Sequence, residues 1–81
     1  MKARYETGIV TPEALAARQS IATELRDTRH QLNMTQESLA QLVGTKKSNI
    51  SRMESGKYNP SLDFLVKVAE SLGKRVDIHL N

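Results

Sequence analysis

Apolar residues recur at helical spacing in four stretches of this chain, and in its last residues the period shortens to strict alternation. In the first stretch, Thr11, Pro12 and Glu13 supply an N-cap, a first-turn proline and a first-turn acid, and nothing breaks the helix before Asn33. Its second half sets Ile21, Leu25 and Leu32 on one side, with Thr28 and Arg29 between them. Thr35 caps a second helix that starts at Gln36 and carries Leu39, Ala40, Leu42 and Val43 as its apolar face; Met34 is placed to staple onto Leu39. Gly44 stands where that helix must stop in the left-handed conformation. A third helix, about Lys46 to Ser55, has Ile50, Met53 and Glu54 on one side and Ser48, Ser51, Arg52 and Ser55 on the other. After the polar loop Lys57, Tyr58, Asn59, Pro60, Ser61 caps a fourth helix whose stripe is Leu62, Leu65, Val68, Ala69 and Leu72, ended by Gly73. Phe64 lies off that stripe and suits either a core or a dimer surface.

Both ends of the chain depart from helical period. Residues 1–10 lack it and form an arm, loose or held by a partner through Tyr5, Ile9 and Val10. In residues 74–81, Val76, Ile78 and Leu80 alternate with Asp77 and His79, the signature of a strand. One strand cannot stand alone, so it must pair. The same strand from a second copy across a two-fold axis is the preferred partner; the arm and an unrelated protein are the competing ones. The expected organisation is therefore an arm at 1–10, a domain at 11–73 and a dimerising strand at 74–81.

The second and third helices, joined by the tight turn at Gly44, form a helix-turn-helix. Charge sharpens the picture. Lys46 and Lys47 sit at the start of the third helix, where the helix dipole is already positive, and each costs roughly 0.3–1 kcal/mol of stability at low salt. A phosphate or a base acceptor beside that end turns the cost into a gain. The chain as a whole carries only +3, so the case for nucleic acid rests on where the charges lie.

Composition removes other classes. With 81 residues, 38% of them apolar, the chain holds one small domain with a modest core. It has no cysteine, which excludes disulfides and thiolate metal sites and fits a reducing cytoplasm. No apolar run approaches the roughly 20 residues of a membrane span. His30 and His79 are isolated in different elements, so a metal site is not expected. Ser48, Ser51 and Ser55 lack a neighbouring base, and there is no glycine-rich phosphate loop; neither an enzyme nor a cofactor is expected.

Three runs of residues carry a resemblance: T-Q-x-x-L-A from Thr35, G-T-x-x-S-x-I-S-R-x-E-S-G-K from Gly44, and N-P-S-L-x-x-L-x-K-x-A-x-S-L-G from Asn59. Together they are similar to the lambdoid phage repressor and Cro class of helix-turn-helix proteins (Cro/C1-type, XRE family), and look most like small antitoxins of the HigA kind. The resemblance covers Ile21 to Gly73. It implies an all-α, lambda repressor-like bundle of four to five helices. The strand at 74–81 departs from phage repressors and resembles antitoxins of the HipB kind. The first turns of the first helix extend beyond the family pattern.

The resemblance also implies roles. Arg29 and Glu54 occupy the positions of a structural salt bridge between helix one and the end of the recognition helix. Lys47, Ser48 and Arg52, with Ser51 close by, would face base edges in the major groove. Gln36, Lys46, Lys57, Tyr58, Asn59 and Ser61 would lie along phosphates. The family usually has Ser or Thr where Lys46 stands, which leaves Thr45 as an alternative cap. The function implied is a cytoplasmic, nucleoid-associated repressor that binds a palindromic double-stranded operator as a homodimer. In a HigA-like setting it is also the antitoxin that neutralises a toxin from the same operon and autoregulates it. A HipB-like antitoxin of a kinase, a stand-alone phage-type or metabolic regulator, and a coactivator that never touches DNA are the other readings.

Overall fold

The computed structural model describes residues 10–81; of the expected arm it includes only Val10, and Tyr5 and Ile9 lie outside the described residues. Four helices follow in order: α1 (Pro12–Gln31), α2 (Gln36–Val43), α3 (Lys47–Glu54) and α4 (Leu62–Ser71). Their starts are fixed by local chemistry. The hydroxyls of Thr11, Thr35 and Ser61 accept from the amides of Ala14, Ser38 and Phe64 at 3.0, 3.0 and 3.1 Å, each satisfying one of the first free N–H groups of its helix. Their ends are equally local. Asn33 takes a left-handed turn (φ 56°) after α1. Gly44 does so after α2 (φ 81°), so that its own amide and that of Thr45 both return to the Ala40 carbonyl.

The core lies where the four helices converge. Leu25 of α1, Leu39, Ala40 and Val43 of α2, Ile50 and Met53 of α3, and Val68, Ala69 and Leu72 around the end of α4 form one buried cluster. Ile21, Met34, Phe64, Leu65 and Val76 pack around it half-buried. Phe64 is thereby partly in the core. Leu39, Ile50, Met53 and Val68 are fully enclosed, each stabilising the fold by about 1.5–3 kcal/mol through burial. Helices of eight residues such as α2 and α3 are marginal alone in water, so this shared burial is what keeps them helical.

Three leucines assigned to apolar faces are instead largely outside. Leu42 is 62% exposed because it lies about 160° around α2 from Ala40, too far for both to reach one core. Leu32 and Leu62 are also exposed, the first just past the end of α1 and the second at the first position of α4.

The expected C-terminal strand is corrected as well: no strand is formed among the described residues, and 74–81 carry no regular structure. The tail leaves α4 through a closed turn, with the amides of Gly73 and Lys74 donating to Glu70 and Ala69. Val76 then returns to the core, while Ile78 stays exposed and Leu80 is 94% exposed. Alternation is a property of one segment, but a strand exists only through a ladder of hydrogen bonds to another, and the described chain holds no second segment to supply it.

Candidate nucleic-acid interface

The helix-turn-helix formed by α2 and α3 is held by a buried polar cluster. Arg29 of α1 meets Glu54 of α3 in a two-pronged pair, Nε to Oε2 at 2.7 Å and Nη2 to Oε1 at 3.0 Å, with side chains only 8% and 4% exposed. Gln36, at the first position of α2, donates from Nε2 to the same Oε1 at 3.0 Å, tying the start of α2 to the end of α3. Arg29 Nη1 donates to the Met34 carbonyl at 2.7 Å, and its Nη2 lies 3.0 Å from His30 Nε2. Burial by itself would push the Glu54 carboxyl up. The hydrogen bonds from Arg29 and Gln36, with the charge of Arg29, outweigh it and hold the group below its ordinary value of 4.5. The salt bridge that the resemblance implied is thus present and buried.

The core-facing side of α3 is the expected one: Ile50, Met53 and Glu54 are buried. Ser48, Ser51 and Arg52 face away from that side and are exposed, and Lys47, in the first turn three residues before Ile50, is exposed as well. The cap of α3 is Lys46, and no side chain bonds its first amides. Thr45 is not the cap; its hydroxyl instead accepts from Asn49 Nδ2 at 2.8 Å. Two exposed lysines therefore stand at the uncapped, positive end of a helix.

The loop from α3 to α4 is drawn onto α1. Gly56, with φ 75°, lies so close that a Cβ there would meet Gln19 Cγ at 3.1 Å. Arg18 Nη1 donates to the Lys57 carbonyl at 3.2 Å, and the Lys57 amide donates to Ser55 Oγ at 3.3 Å. Arg18 has no counterpart in the sequence reading, since its partner is a backbone carbonyl that any residue could provide. Beyond that anchor the Tyr58 ring lies under Arg52, 5.4 Å from ring centroid to Cζ. Tyr58, Asn59 and Ser61 line a polar groove of about 510 Å³ with Thr45 and Asn49. Asn49 was also missed, because its partner Thr45 lies before the cap of α3, where helical spacing pairs nothing.

Of the residues expected along phosphates, Lys46, Lys57, Tyr58, Asn59 and Ser61 are exposed around this groove and the start of α3. Gln36 stands apart, half-buried with its amide nitrogen bonded to Glu54. His30 and His79 also stand apart, beside Arg29 and Asp77 respectively. Val76, Ile78 and Leu80 lie on the tail, away from α3 in sequence and in different states of burial.

Two short helices meeting across the tight turn at Gly44, with the polar side of the second turned outward, are the arrangement of a helix-turn-helix protein. Residues 25–78 match the HTH_3 helix-turn-helix family model, and the chain belongs to this family. Its sequence is 40% identical over 55 residues to an HTH-type transcriptional regulator of Archaeoglobus fulgidus, covering 68% of this chain and 78% of that one. Its fold is similar to an HTH_3-family transcriptional regulator from Vibrio cholerae (TM-score 0.69, 27% identity), covering 74% of this chain but only 34% of that protein. It is equally similar to a chain of a toxin–antitoxin module from Streptococcus pneumoniae (TM-score 0.69, 28% identity), covering 99% of this chain and 94% of that one. Among the described residues, no helix is long and apolar enough to cross a membrane.

Proposed function

We propose that this chain is a sequence-specific repressor that reads double-stranded DNA through α3. The observation that carries the reading is the division of that helix, with Ile50, Met53 and Glu54 buried and Lys47, Ser48, Ser51 and Arg52 together outside. Lysine and arginine suit the paired acceptors of guanine in the major groove, and each good contact discriminates by about 1–3 kcal/mol. Lys46, Lys57, Tyr58, Asn59 and Ser61 hold the flanking phosphates and fix register. Gln36 contributes there through the exposed start of α2, since its amide nitrogen is taken by Glu54. The tail supplies the homodimer: with Val76 anchoring each tail on its own core, the exposed Ile78 and Leu80 of two copies meet about a two-fold axis and set the two α3 helices about 34 Å apart on a palindromic operator.

The setting proposed is a HigA-like antitoxin that neutralises a toxin encoded beside it and represses their shared operon. The likeness over 99% of the chain to a chain of a toxin–antitoxin module supports this. The relationship to HTH-type transcriptional regulators favours a second reading, a stand-alone regulator. The neighbouring reading frame separates the two. DNA reading is tested by selecting duplexes from a randomised pool with the wild-type protein, then titrating the best duplex with Arg52→Ala at several salt concentrations. The expected result is weaker binding with base preference lost at particular positions; unchanged affinity and preference would remove Arg52 from the assignment.

A further inference from the structure

Arg52 is an exposed arginine in the last turn of α3, and among the described residues no carboxylate pairs with it. Its guanidinium instead rests over Tyr58, six residues later and across the turn at Gly56, with Cζ 5.4 Å from the ring centroid. That distance lies within the roughly 6 Å over which an aromatic face attracts a cation. Tyr58 itself stands on a fixed loop: Gly56 abuts α1 at Gln19, Lys57 is held by Arg18 and Ser55, and Ser61 is committed to capping α4.

We infer that Tyr58 is a positioning residue for Arg52, holding the guanidinium over its ring on the exposed side of α3 before DNA arrives. The inference rests on Arg52 as the base reader and deepens that reading. Two physical facts carry it. Arginine has many rotamers, and one parked on a ring loses less freedom when it binds. The contact also acts through the charge and takes up no strong acceptor, so the N–H fork that matches two acceptors on a base stays available. A tyrosine expected only along a phosphate would act through its hydroxyl; a positioning role acts through the ring face.

The experiment uses the full chain and the best duplex from the randomised pool, together with its single-base-pair variants. The quantity read is the ratio of affinities between the best base pair and its replacements at the positions where Arg52→Ala loses preference. Tyr58→Leu, which removes the ring, is expected to lower that ratio about two- to fivefold, the effect of an exposed cation–π contact. Tyr58→Phe keeps the ring and is expected to keep the ratio, even if binding to all duplexes weakens together. Thermal melts establish that each variant is folded. A wild-type ratio in Tyr58→Leu alongside a collapsed one in Arg52→Ala would overturn the inference and leave Arg52 as the reader. A loss in Tyr58→Phe equal to that in Tyr58→Leu would assign the effect to the hydroxyl and also overturn it. Arg52→Ala with every preference intact would remove the reader, and the positioning role with it.

Discussion

Glu54→Gln changes almost no volume yet removes a charge from a side chain that is 4% exposed and accepts three hydrogen bonds. Glutamine offers one acceptor oxygen and one NH₂ donor. With the oxygen at the Oε1 position it still accepts from Arg29 Nη2 and Gln36, but its NH₂ then faces Arg29 Nε, donor against donor. Flipped, it confronts two donors. Either way the Arg29 guanidinium loses its counter-charge while remaining buried, with only neutral acceptors such as the Met34 carbonyl left to it. Removing one partner of a buried pair costs about 3–5 kcal/mol, and the retained Met34 bond puts this variant near the lower figure, about 3 kcal/mol. An exposed pair would cost under about 1 kcal/mol. At about 4–8 °C per kcal/mol for a domain this small, the melting temperature should fall by about 12–24 °C. Circular dichroism melts at pH 7, with urea unfolding at low temperature as a second measure, read the effect. The double variant Arg29→Met/Glu54→Leu, which leaves no unpaired charge, should recover part of the loss. A Glu54→Gln melt within a degree of wild type would refute the clasp as a source of stability.

The same carboxylate predicts a pH dependence: because folding holds Glu54 below 4.5, the stability it contributes is present above that value and drains away as pH falls through the folded-state one. Urea midpoints followed from pH 7 to 3 should show this loss in the wild type and a flatter profile in Glu54→Gln. Gly44→Ala and Gly56→Ala should separate strain from crowding. Both positions have positive φ and cost roughly 1–2 kcal/mol for that reason, but only at Gly56 does the new Cβ also meet Gln19, so it should be the worse by equilibrium unfolding. Deleting 74–81 should abolish the dimer in sedimentation and weaken operator binding; a truncated protein still dimeric and binding normally would sink the proposed tail contact.

What the sequence made legible was whatever it encodes within a few residues. The caps at Thr11, Thr35 and Ser61 and the stops at Asn33 and Gly44 are local hydrogen bonds and local dihedrals, and they fall where expected. The Arg29–Glu54 clasp joins residues 25 apart and was visible through resemblance alone. Leu42, Leu32 and Leu62 were misplaced because helical period marks a face without saying how much of it the neighbouring helices can cover. The tail failed as a strand because pairing belongs to two segments. On the proposed interface, Ser48, Ser51 and Arg52 on α3 followed from periodicity and Lys47 from resemblance, whereas Arg18 on the Lys57 carbonyl and Arg52 over Tyr58 depend on how the loop after Gly56 is laid down.

That loop has a further consequence, because α1 grips the C-terminal end of α3 at two separate points. Gln19 and Arg18 meet Gly56 and Lys57 just past its last residue, and Arg29 holds Glu54 within it. Along α1 the two grips are roughly 15 Å apart, ten to eleven residues at 1.5 Å each. One attachment makes a pivot; two make a bearing. The heading of α3 is thus inherited from the axis of α1, and the exposed side of the helix is aimed by residues that lie outside the helix-turn-helix itself.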